Sequence, residues 1–253
     1  MLRRMAAAIL ALVPHAAPAE EALAAIAANF AGAAEELATR FNAETGHVVT
    51  LTTGSTGKLY AQIAAGAPFD LMLSADAATP ARLIEGGLAV EGSGFAYATG
   101  RLVLWSAAPG RVGGDGAAAL RDPGLRHLAI ANPKLAPYGK AAREALRGLD
   151  LWQEMQPKIV MGQNIGQTHA MVASGAAELG LVAMSAVLQP GVPQEGSHWD
   201  VPQTLYAPIR QDAVLLAAGR QNDAAAAFLA YLRSVAAAEV IAAYGYGTGD
   251  DGS

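Results

Sequence analysis

The chain of 253 residues contains no cysteine. Disulfide bonds, thiol nucleophiles and cysteine-ligated metal sites are therefore excluded. Charged residues are also scarce, at 15% of the sequence, whereas hydrophobic residues make up 53%. This balance argues against an intrinsically disordered chain, because disorder goes with high charge and low hydrophobicity. The length is enough for one large domain or for two domains of ordinary size.

Clusters of lysine and arginine are absent from the sequence as well. The formal net charge is −5 at pH 7, and a surface that binds nucleic acid usually needs a concentrated basic patch. We therefore expect this protein to have no nucleic-acid partner.

Long hydrophobic runs are missing, and a short one lies at the N-terminus. Arg3 and Arg4 precede the apolar segment Met5–Val13, and Ala17-Pro18-Ala19 supplies a small–x–small pattern. These three features in this order are typical of a secretory signal peptide. The apolar segment is less than half of the roughly 20 residues that a membrane span needs. Residues 1–19 are thus predicted to be a signal peptide, which would export the rest of the chain to the periplasm.

What the sequence does contain is a repeated alternation of strand-like and helix-like segments. The β-branched run His47–Thr53 is followed by the helical pattern "TGKLYAQIAAGAP", in which Leu59 and Ile63 fall on one face. Alternating strands and helices predict parallel sheets with right-handed crossovers. The alternation restarts after a strong strand predicted at Ala98–Ala107. We therefore expect an α/β protein of two lobes, each a mainly parallel sheet flanked by helices.

The C-terminal third carries a weaker pattern. The proline- and glycine-rich stretch Gln189–Gln203 is predicted to be an irregular connection. A late strand, "YAPIRQDAVLLAA", and two helices, "NDAAAAFLAYLRSV" and "AAEVIAAYGY", are predicted to follow it. The tail "GTGDDGS" is predicted to be disordered.

A glycine-rich turn with a lysine, "GSTGK" at 54–58, joins a predicted strand to a predicted helix. It does not fit the nucleotide phosphate loop, because Thr52 stands at the position of the first glycine and Leu59 at that of the magnesium-binding hydroxyl. The turn still suits an anion, since a helix N-terminus presents N–H groups and Ser55 and Thr56 add hydroxyl donors. On this motif alone, ordinary helix capping by the two hydroxyl residues is the better explanation.

The same geometry recurs at other strand-to-helix junctions. Asn29 lies where the first strand meets the first helix, Pro137-Tyr138-Gly139 opens another helix, and Asn164-Ile165-Gly166 opens a third. In parallel sheets, ligands bind beyond the carboxyl ends of the strands, where such junctions gather. Two lobes that face each other at these junctions would enclose a small anion.

Signatures of catalysis are missing. The sequence has no HExxH motif, no GxSxG motif and no histidine pair with metal-ligand spacing. His169 is expected to be a structural histidine within a helix, and Asp76 to cap the helix that follows it. We therefore predict that the protein is not an enzyme and has no catalytic residue, metal site or cofactor. The alternative of another class, an exported phosphoryl or acyl hydrolase, would need His169 to face Ser55 or Thr56.

Several segments resemble the periplasmic molybdate-binding proteins of ABC importers. The resemblance runs from about Leu23 to Tyr246, and the block that ends in "AGAPFDLMLSAD" is quite specific to that family. The segments that carry it are "NFAGAAEELATRFNAETGHVV", "GSTGKLYAQIAAGAPFDLMLSAD", "RLVLWSA", "IANPKLAPYGKAAREAL" and "GAAELGLVA". The family implies a type II periplasmic-binding-protein fold, in which two lobes close over the ligand. Its first lobe would comprise 20–98 plus 211–253, and its second lobe 99–210.

The resemblance also implies a ligand and the residues that bind it. The ligand would be molybdate or tungstate, which a monomeric binding protein would deliver to the membrane permease of an ABC importer. The implied ligand contacts are Ala28, Asn29, Thr56, Tyr138 and Ile165. Asn29 and Thr56 would offer side-chain and backbone donors, and Tyr138 its N–H with its hydroxyl as a second candidate donor. The other two would offer their N–H groups.

Two positions depart from the family pattern. Ala28 aligns where a subgroup can have threonine, and Ala183 stands where other members have a ligand-binding tyrosine. Molybdate is a dianion without a proton, so a site of neutral donors suits it and disfavours protonated phosphate. Sulfate or another tetrahedral oxyanion stays open as an alternative ligand, because the sequence gives no pocket radius.

Overall fold

The computed structural model describes residues 19–247. The predicted signal peptide, apart from Ala19, and the predicted disordered tail beyond Gly247 lie outside the described residues. Within the described range, no single helix is long and apolar enough to cross a membrane. Two consecutive C-terminal helices, bent by 67° at their junction, pass that test only as a pair, by length and composition.

The strands of residues 19–247 form two five-stranded sheets. The first sheet has the order β2-β1-β3-β10-β4, with β1, β2 and β3 parallel to one another and β10 antiparallel to both of its neighbours. Its strands are β1 Glu21–Ala27, β2 Val48–Gly54, β3 Leu71–Leu73, β4 Phe95–Gly100 and β10 Ile209–Leu215.

The second sheet repeats this arrangement. Its order is β7-β6-β8-β5-β9, with β6, β7 and β8 parallel and β5 antiparallel to both of its neighbours. Its strands are β5 Leu102–Ser106, β6 Leu128–Ala131, β7 Ile159–Gly162, β8 Leu179–Ala183 and β9 Ser197–Asp200. The chain therefore passes from the first sheet to the second at Arg101, and returns between β9 and β10.

Helices cover both sheets. Those of the first lobe are α1 Ala31–Thr45, α2 Thr56–Ala64, α3 Ala78–Glu85, α9 Asp223–Tyr231 and α10 Val235–Ala243. Those of the second lobe are α4 Gly116–Leu120, α5 Pro137–Gly148, α6 Trp152–Met155, α7 Ile165–Ala173 and α8 Met184–Val187. Short 3-10 turns lie at Ala28–Phe30, Gln156–Lys158 and Gln203–Leu205. Helix α1 ends at Gly46, whose φ of 78° is the left-handed conformation that glycine adopts without strain.

The first sheet buries an apolar layer on each face. Helices α1, α9 and α10 cover one face, where the rings of Phe41 and Phe228 meet edge to face at 5.2 Å. Helices α2 and α3 cover the other face through Leu59, Ile63 and Leu83. The predicted helical face of Leu59 and Ile63 is therefore confirmed as buried.

The second sheet is likewise covered on both faces, by α5 and α6 on one and by α7 and α8 on the other. These packed layers hold the strand ends in fixed positions, because cores are close-packed and deform little. The expected α/β fold of two lobes is confirmed. Each sheet is mixed, since the chain adds two antiparallel pairings to the predicted parallel strands.

Two local predictions were wrong. The segment Ala98–Ala107 is not one strand: it breaks at Arg101 into β4 and β5, which belong to different sheets. Gly100 marks the break, and a Cβ there would overlap the hydroxyl of Tyr138. The stretch Gln189–Gln203 is not wholly irregular, because β9 within it pairs with β5. The strand β9 forms because it pairs with β5, which is distant in the sequence, so the local sequence pattern did not predict it.

Candidate functional site

A small pocket lies between the two lobes, beyond the carboxyl ends of β1 and β2 and at the starts of α2, α5 and α7. Its cavity volume is about 10 Å³, which is roughly the space that one water molecule needs. Its lining comes from five strand-to-helix junctions: Ala27, Ala28, Asn29, Gly54, Ser55, Thr56, Ala75, Ala136, Pro137, Tyr138, Asn164 and Ile165. All five residues that were predicted as ligand contacts are among them. Their role as contacts stays a prediction, but the structure brings them to one place.

Helix starts supply the backbone donors of this pocket. Within the described chain, the residues before α2 and α5 make no side-chain capping hydrogen bond, so the first N–H groups of these helices lack the usual partner. Helix α7 differs, because the side chain of Asn164 accepts a hydrogen bond from the N–H of Gln167 at 2.8 Å. The N–H of Ile165, one residue after this cap, remains at the pocket. Ordinary capping therefore does not explain the hydroxyls of the glycine-rich turn.

The hydroxyl of Ser55 is the outstanding polar group of the pocket. The residue is 3% exposed, and its Oγ has no hydrogen-bond partner among the described residues. The neighbouring Thr56 differs, because its Oγ1 accepts a hydrogen bond from the N–H of Ala75 at 3.2 Å. A buried polar group left unpaired costs about 1–3 kcal/mol. Ser55 is thus poised to donate to a bound acceptor.

Sequence reasoning noted the Ser55 hydroxyl but placed only Thr56 among the ligand contacts. The two residues are adjacent, and both carry a hydroxyl. The signal that separates them is position, since Ser55 precedes the first residue of α2 and could be expected to cap it. That this cap is not made became visible only in three dimensions.

The side chain of Asn29 is held by the protein itself. Its Nδ2 donates to Oε1 of Gln211 at 2.8 Å and to the hydroxyl of Tyr246 at 3.0 Å. Both amide hydrogens are therefore used, and the expected side-chain donation to a ligand is not available in this arrangement. Asn29 instead presents its backbone N–H, at the start of the 3-10 turn after β1.

The hydroxyl of Tyr138 lies against the point where the chain changes sheet. It is 3.5 Å from Nε2 of Gln211 and next to Gly100. Burial raises the pKa of Tyr138 well above its usual value, so the side chain stays neutral. At the pocket, the residue contributes the first N–H of α5, because Pro137 before it has none.

Charged side chains are absent from the lining of the pocket among residues 19–247. Lys58 is exposed on α2 and does not line it. The pocket thus combines helix N-termini, which are electrically positive at their N–H ends, with neutral hydroxyls. Such a set of donors can replace the water around a small anion without any arginine or lysine.

Direct hydrogen bonds join the two lobes around the pocket. The N–H of Gly57 in α2 donates to the carbonyl of Leu135 at 2.9 Å. The hydroxyl of Ser185 in α8 donates to the carbonyl of Asn29 at 2.8 Å, and the hydroxyl of Tyr246 reaches the same carbonyl at 2.7 Å. The lobes are therefore in contact on two sides of the pocket.

Other candidate residues lie outside the pocket. His169 stacks on Trp105 with ring centroids 4.6 Å apart, so it does not face Ser55 or Thr56. Asp76 accepts a hydrogen bond from the N–H of Thr79 at 2.8 Å, which confirms the predicted helix cap. No cluster of three or more histidine, aspartate or glutamate side chains that could hold a metal ion occurs in the described part of the chain.

Comparisons with known proteins agree with this geometry. Residues 22–247 match the family of bacterial extracellular solute-binding proteins. The molybdate-binding protein ModA of Azotobacter vinelandii is 50% identical over 236 residues, which cover 93% of each chain. ModA of Rhodobacter capsulatus is 48% identical over 232 residues, covering 92% of this chain and 90% of that one.

A solved structure gives the same result. The periplasmic molybdate-binding protein of Azotobacter vinelandii superimposes with a TM-score of 0.86 and 42% sequence identity. The superposition covers 89% of this chain and 98% of that protein. The similarity therefore extends over both lobes and over the pocket between them.

Proposed function

Since the chain belongs to the family of bacterial extracellular solute-binding proteins, we propose that it captures molybdate or tungstate for an ABC importer. The observation that carries this proposal is the uncharged pocket with the unpaired, buried hydroxyl of Ser55. The molybdate-binding names of relatives that are 50% and 48% identical support the choice of ligand.

The proposed contacts are hydrogen bonds from neutral groups to one dianion. Backbone N–H groups of Ala28, Asn29, Tyr138 and Ile165 donate from both lobes, and the hydroxyls of Ser55 and Thr56 add to them. Each hydrogen bond to a charged group contributes about 1.5–3 kcal/mol, so a set of this size outweighs the cost of association. An anion that carries a proton is disfavoured, because its O–H would meet another donor.

Transport follows from a hinge between the lobes. The two chain segments that cross between the sheets would bend, so that an open form takes up the anion and the closed form holds it. The predicted bounds of 20–98 plus 211–253 and of 99–210 cut through β4 and β10, so we place the crossings at Arg101 and just before Ile209. The protein acts in the periplasm after removal of residues 1–19, as a monomer, and passes the anion to the permease subunits. It needs no cofactor, binds no nucleic acid and catalyses no reaction.

Isothermal titration calorimetry at near-neutral pH tests this function directly. We expect one molybdate or tungstate per chain, and a large thermal stabilisation when either is in excess. The variant Ser55→Ala/Thr56→Ala should lose most of this stabilisation. Thr53→Ala, which removes an exposed hydroxyl outside the pocket, should keep it. Absence of heat and of stabilisation with both anions would reject the function.

Sulfate competition separates the proposed ligand from the alternative. Sulfate and tungstate are both tetrahedral dianions, so the hydrogen-bond donors of the pocket do not distinguish between them. The size of the closed pocket is what would select the larger anion. We expect that excess sulfate leaves bound tungstate in place. Ready displacement would instead identify a general binder of tetrahedral oxyanions.

A further inference from the structure

A larger cleft adjoins the pocket on one side. It is open to solvent between α3 of the first lobe and α5 of the second, and its cavity volume is about 370 Å³. Thr56, Ala75, Ala136 and Pro137 line both spaces, so they share a wall. Gly57 and Leu135, whose backbone hydrogen bond joins the lobes, line only the cleft. The cleft is therefore the space immediately outside this contact.

The charges of the cleft differ from those of the pocket and of the whole chain. Cationic side chains outnumber anionic ones among its described lining residues, although the chain carries a net charge of −5. The charged lining residues are Arg82, Lys134, Lys140 and Arg210, with Asp76 and Glu144 opposing them.

Both carboxylates of the cleft are engaged with backbone donors. Asp76 accepts from the N–H of Thr79 at 2.8 Å, and Oε2 of Glu144 accepts from the N–H of Ala207 at 3.1 Å. Lys140 lies 3.9 Å from the other oxygen of Glu144, whereas Lys134 is exposed at the rim. Arg210 is ion-paired with Asp212 at 2.9 Å, and Arg82 lies 4.2 Å from the centre of the Tyr60 ring. The two exposed lysines are therefore the cations of the cleft that we select for substitution.

We propose that this cleft is the entrance through which oxyanion dianions are drawn to the pocket. A chain of net negative charge repels a dianion at long range, and a cleft of opposite sign reverses this locally. Because the lysines do not line the pocket, they accelerate arrival without contacting the bound anion. The cations of the cleft therefore attract the anion, whereas the neutral donors of the pocket hold it once it is bound. This inference rests on the proposed function and adds a route to it.

The separation of roles predicts a kinetic signature. Removing cleft cations should lower the association rate constant and leave the dissociation rate constant unchanged. The effect should also depend on salt, because the Debye length falls from about 30 Å at 0.01 M to about 8 Å at 0.15 M ionic strength.

The test compares Lys134→Gln/Lys140→Gln with the charge-matched control Lys158→Gln/Arg220→Gln, whose positions lie outside the cleft. Calorimetry gives Kd, release of radiolabelled molybdate gives the dissociation rate constant, and their ratio gives the association rate constant. We expect the cleft variant to associate about three- to tenfold more slowly than wild type at low ionic strength. The difference should vanish at high salt, and the control should change little.

Each of three changes in rate would refute the role of the cleft as an entrance: an equal loss in the control, a changed dissociation rate constant with unchanged association, or a difference that persists at high salt. Unchanged rates would refute it as well. If the wild type binds no molybdate at all, the proposed function itself fails. Binding by the wild type with indistinguishable rates in the variant removes only the entrance.

Discussion

The hydroxyl oxygen of Ser55 is the polar atom of the pocket that most clearly lacks a hydrogen-bond partner. Its Oγ is buried and finds no partner in the described chain, whereas the adjacent Thr56 hydroxyl has one. A protein that leaves such a group unpaired loses stability unless a ligand completes the hydrogen bond. The residue therefore matters more for the bound state than for the fold.

Ser55→Ala should accordingly weaken molybdate binding without weakening the unliganded protein. We expect a loss of affinity of about 10-fold or more, which corresponds to one hydrogen bond to a charged group at about 1.5–3 kcal/mol. The melting temperature without ligand should stay the same or rise slightly, because an unsatisfied buried group disappears. Calorimetry and thermal melts measure both quantities. Unchanged affinity would contradict the assignment of Ser55 as a donor.

The side chain of Gln211 contacts residues of both lobes, close to the place where the chain crosses from the first sheet to the second. It is fully buried, and its Oε1 accepts from Nδ2 of Asn29 at 2.8 Å and from the hydroxyl of Tyr97 at 3.0 Å. Its Nε2 points to the hydroxyl of Tyr138. The amide thus positions two pocket residues from opposite lobes while adding no charge.

Gln211→Glu should make binding depend on pH. A buried carboxyl has a raised pKa, so the variant side chain is neutral at lower pH and ionises as the pH rises. The carboxylate then repels the dianion held beside Asn29, and affinity should fall between about pH 6 and 9. Calorimetry across this range should show a flat profile for wild type and for the uncharged control Gln211→Met. A flat profile for the glutamate variant would refute electrostatic coupling between this position and the pocket.

At the scale of elements, the start of α2 meets the loop before α5. The contact is the hydrogen bond from the N–H of Gly57 to the carbonyl of Leu135, and a side chain at Gly57 would push Leu135 away by a few tenths of an ångström. A Cβ at Gly57 would lie 3.1 Å from the Leu135 carbonyl oxygen and 3.3 Å from its Cα. Glycine is needed at this place for close approach rather than for an unusual φ.

Gly57→Ala should therefore separate helix stability from lobe closure. Alanine favours a helix over glycine by about 0.5–1 kcal/mol, so the unliganded protein should not melt earlier. The added methyl group holds the lobes apart, so molybdate should bind several-fold more weakly. Thermal melts with and without ligand report both effects. An earlier melt without ligand, combined with normal affinity, would show that the interlobe contact is unimportant.

Helix α7 packs on β5 through the stacked rings of His169 and Trp105. Burial lowers the pKa of His169 below its ordinary value. The unfolded chain therefore binds the proton more readily than the folded chain does. The stability that depends on the neutral ring is complete above the unfolded pKa of about 6.5, and it is lost as the pH falls below that value toward the folded pKa.

His169→Phe keeps an aromatic ring on Trp105 but removes the titration. We expect the free energy of unfolding of the wild type to decrease more steeply than that of the variant between about pH 7 and 5. Urea unfolding at several pH values measures the difference. Parallel curves would mean that the environment of His169 is not coupled to folding.

Elements were predictable where periodicity was strong. The helical pattern of α2, the late strand β10 and the junctions at Asn29, Tyr138 and Ile165 were visible in the sequence, because spacing and turn residues report local structure. The break at Arg101 and the strand β9 were not, since both depend on which sheet the chain joins. The unpaired state of Ser55 was hidden for the same reason: a missing partner is a property of the whole fold.

At the scale of the molecule, the two lobes share one continuous set of hydrogen bonds. Ser185 of the second lobe donates to the carbonyl of Asn29, and Tyr246 reaches both Asn29 and Ser185. The two bonds of Ser185 exist only when the lobes touch, whereas the bond between Tyr246 and Asn29 lies within the first lobe. The two bonds of Ser185 therefore stabilise the closed form relative to the open one.

Ser185→Ala should shift the unliganded protein toward the open form. The Ser185 hydroxyl makes two hydrogen bonds across the lobes, and each contributes about 0.5–1.5 kcal/mol. Affinity should therefore fall by about fivefold or more. Small-angle scattering should give a larger radius of gyration than wild type without ligand and an equal one with excess molybdate. An unchanged radius without ligand, together with unchanged affinity, would show that these bonds do not control closure.

Tyr246 places the last turn of the described chain beside its first junction. Its hydroxyl touches Asn29, and Gly247 pairs with Thr99 at the edge of the first sheet. A chain that lacks these few residues would retain every strand of both sheets but would lose the hydrogen bond from Tyr246 to Asn29 beside the pocket. The same ring packs against Phe30 with centroids 5.3 Å apart, so one aromatic side chain ties the first strand-to-helix junction both to the hydrogen bonds of the pocket and to the core of the first lobe.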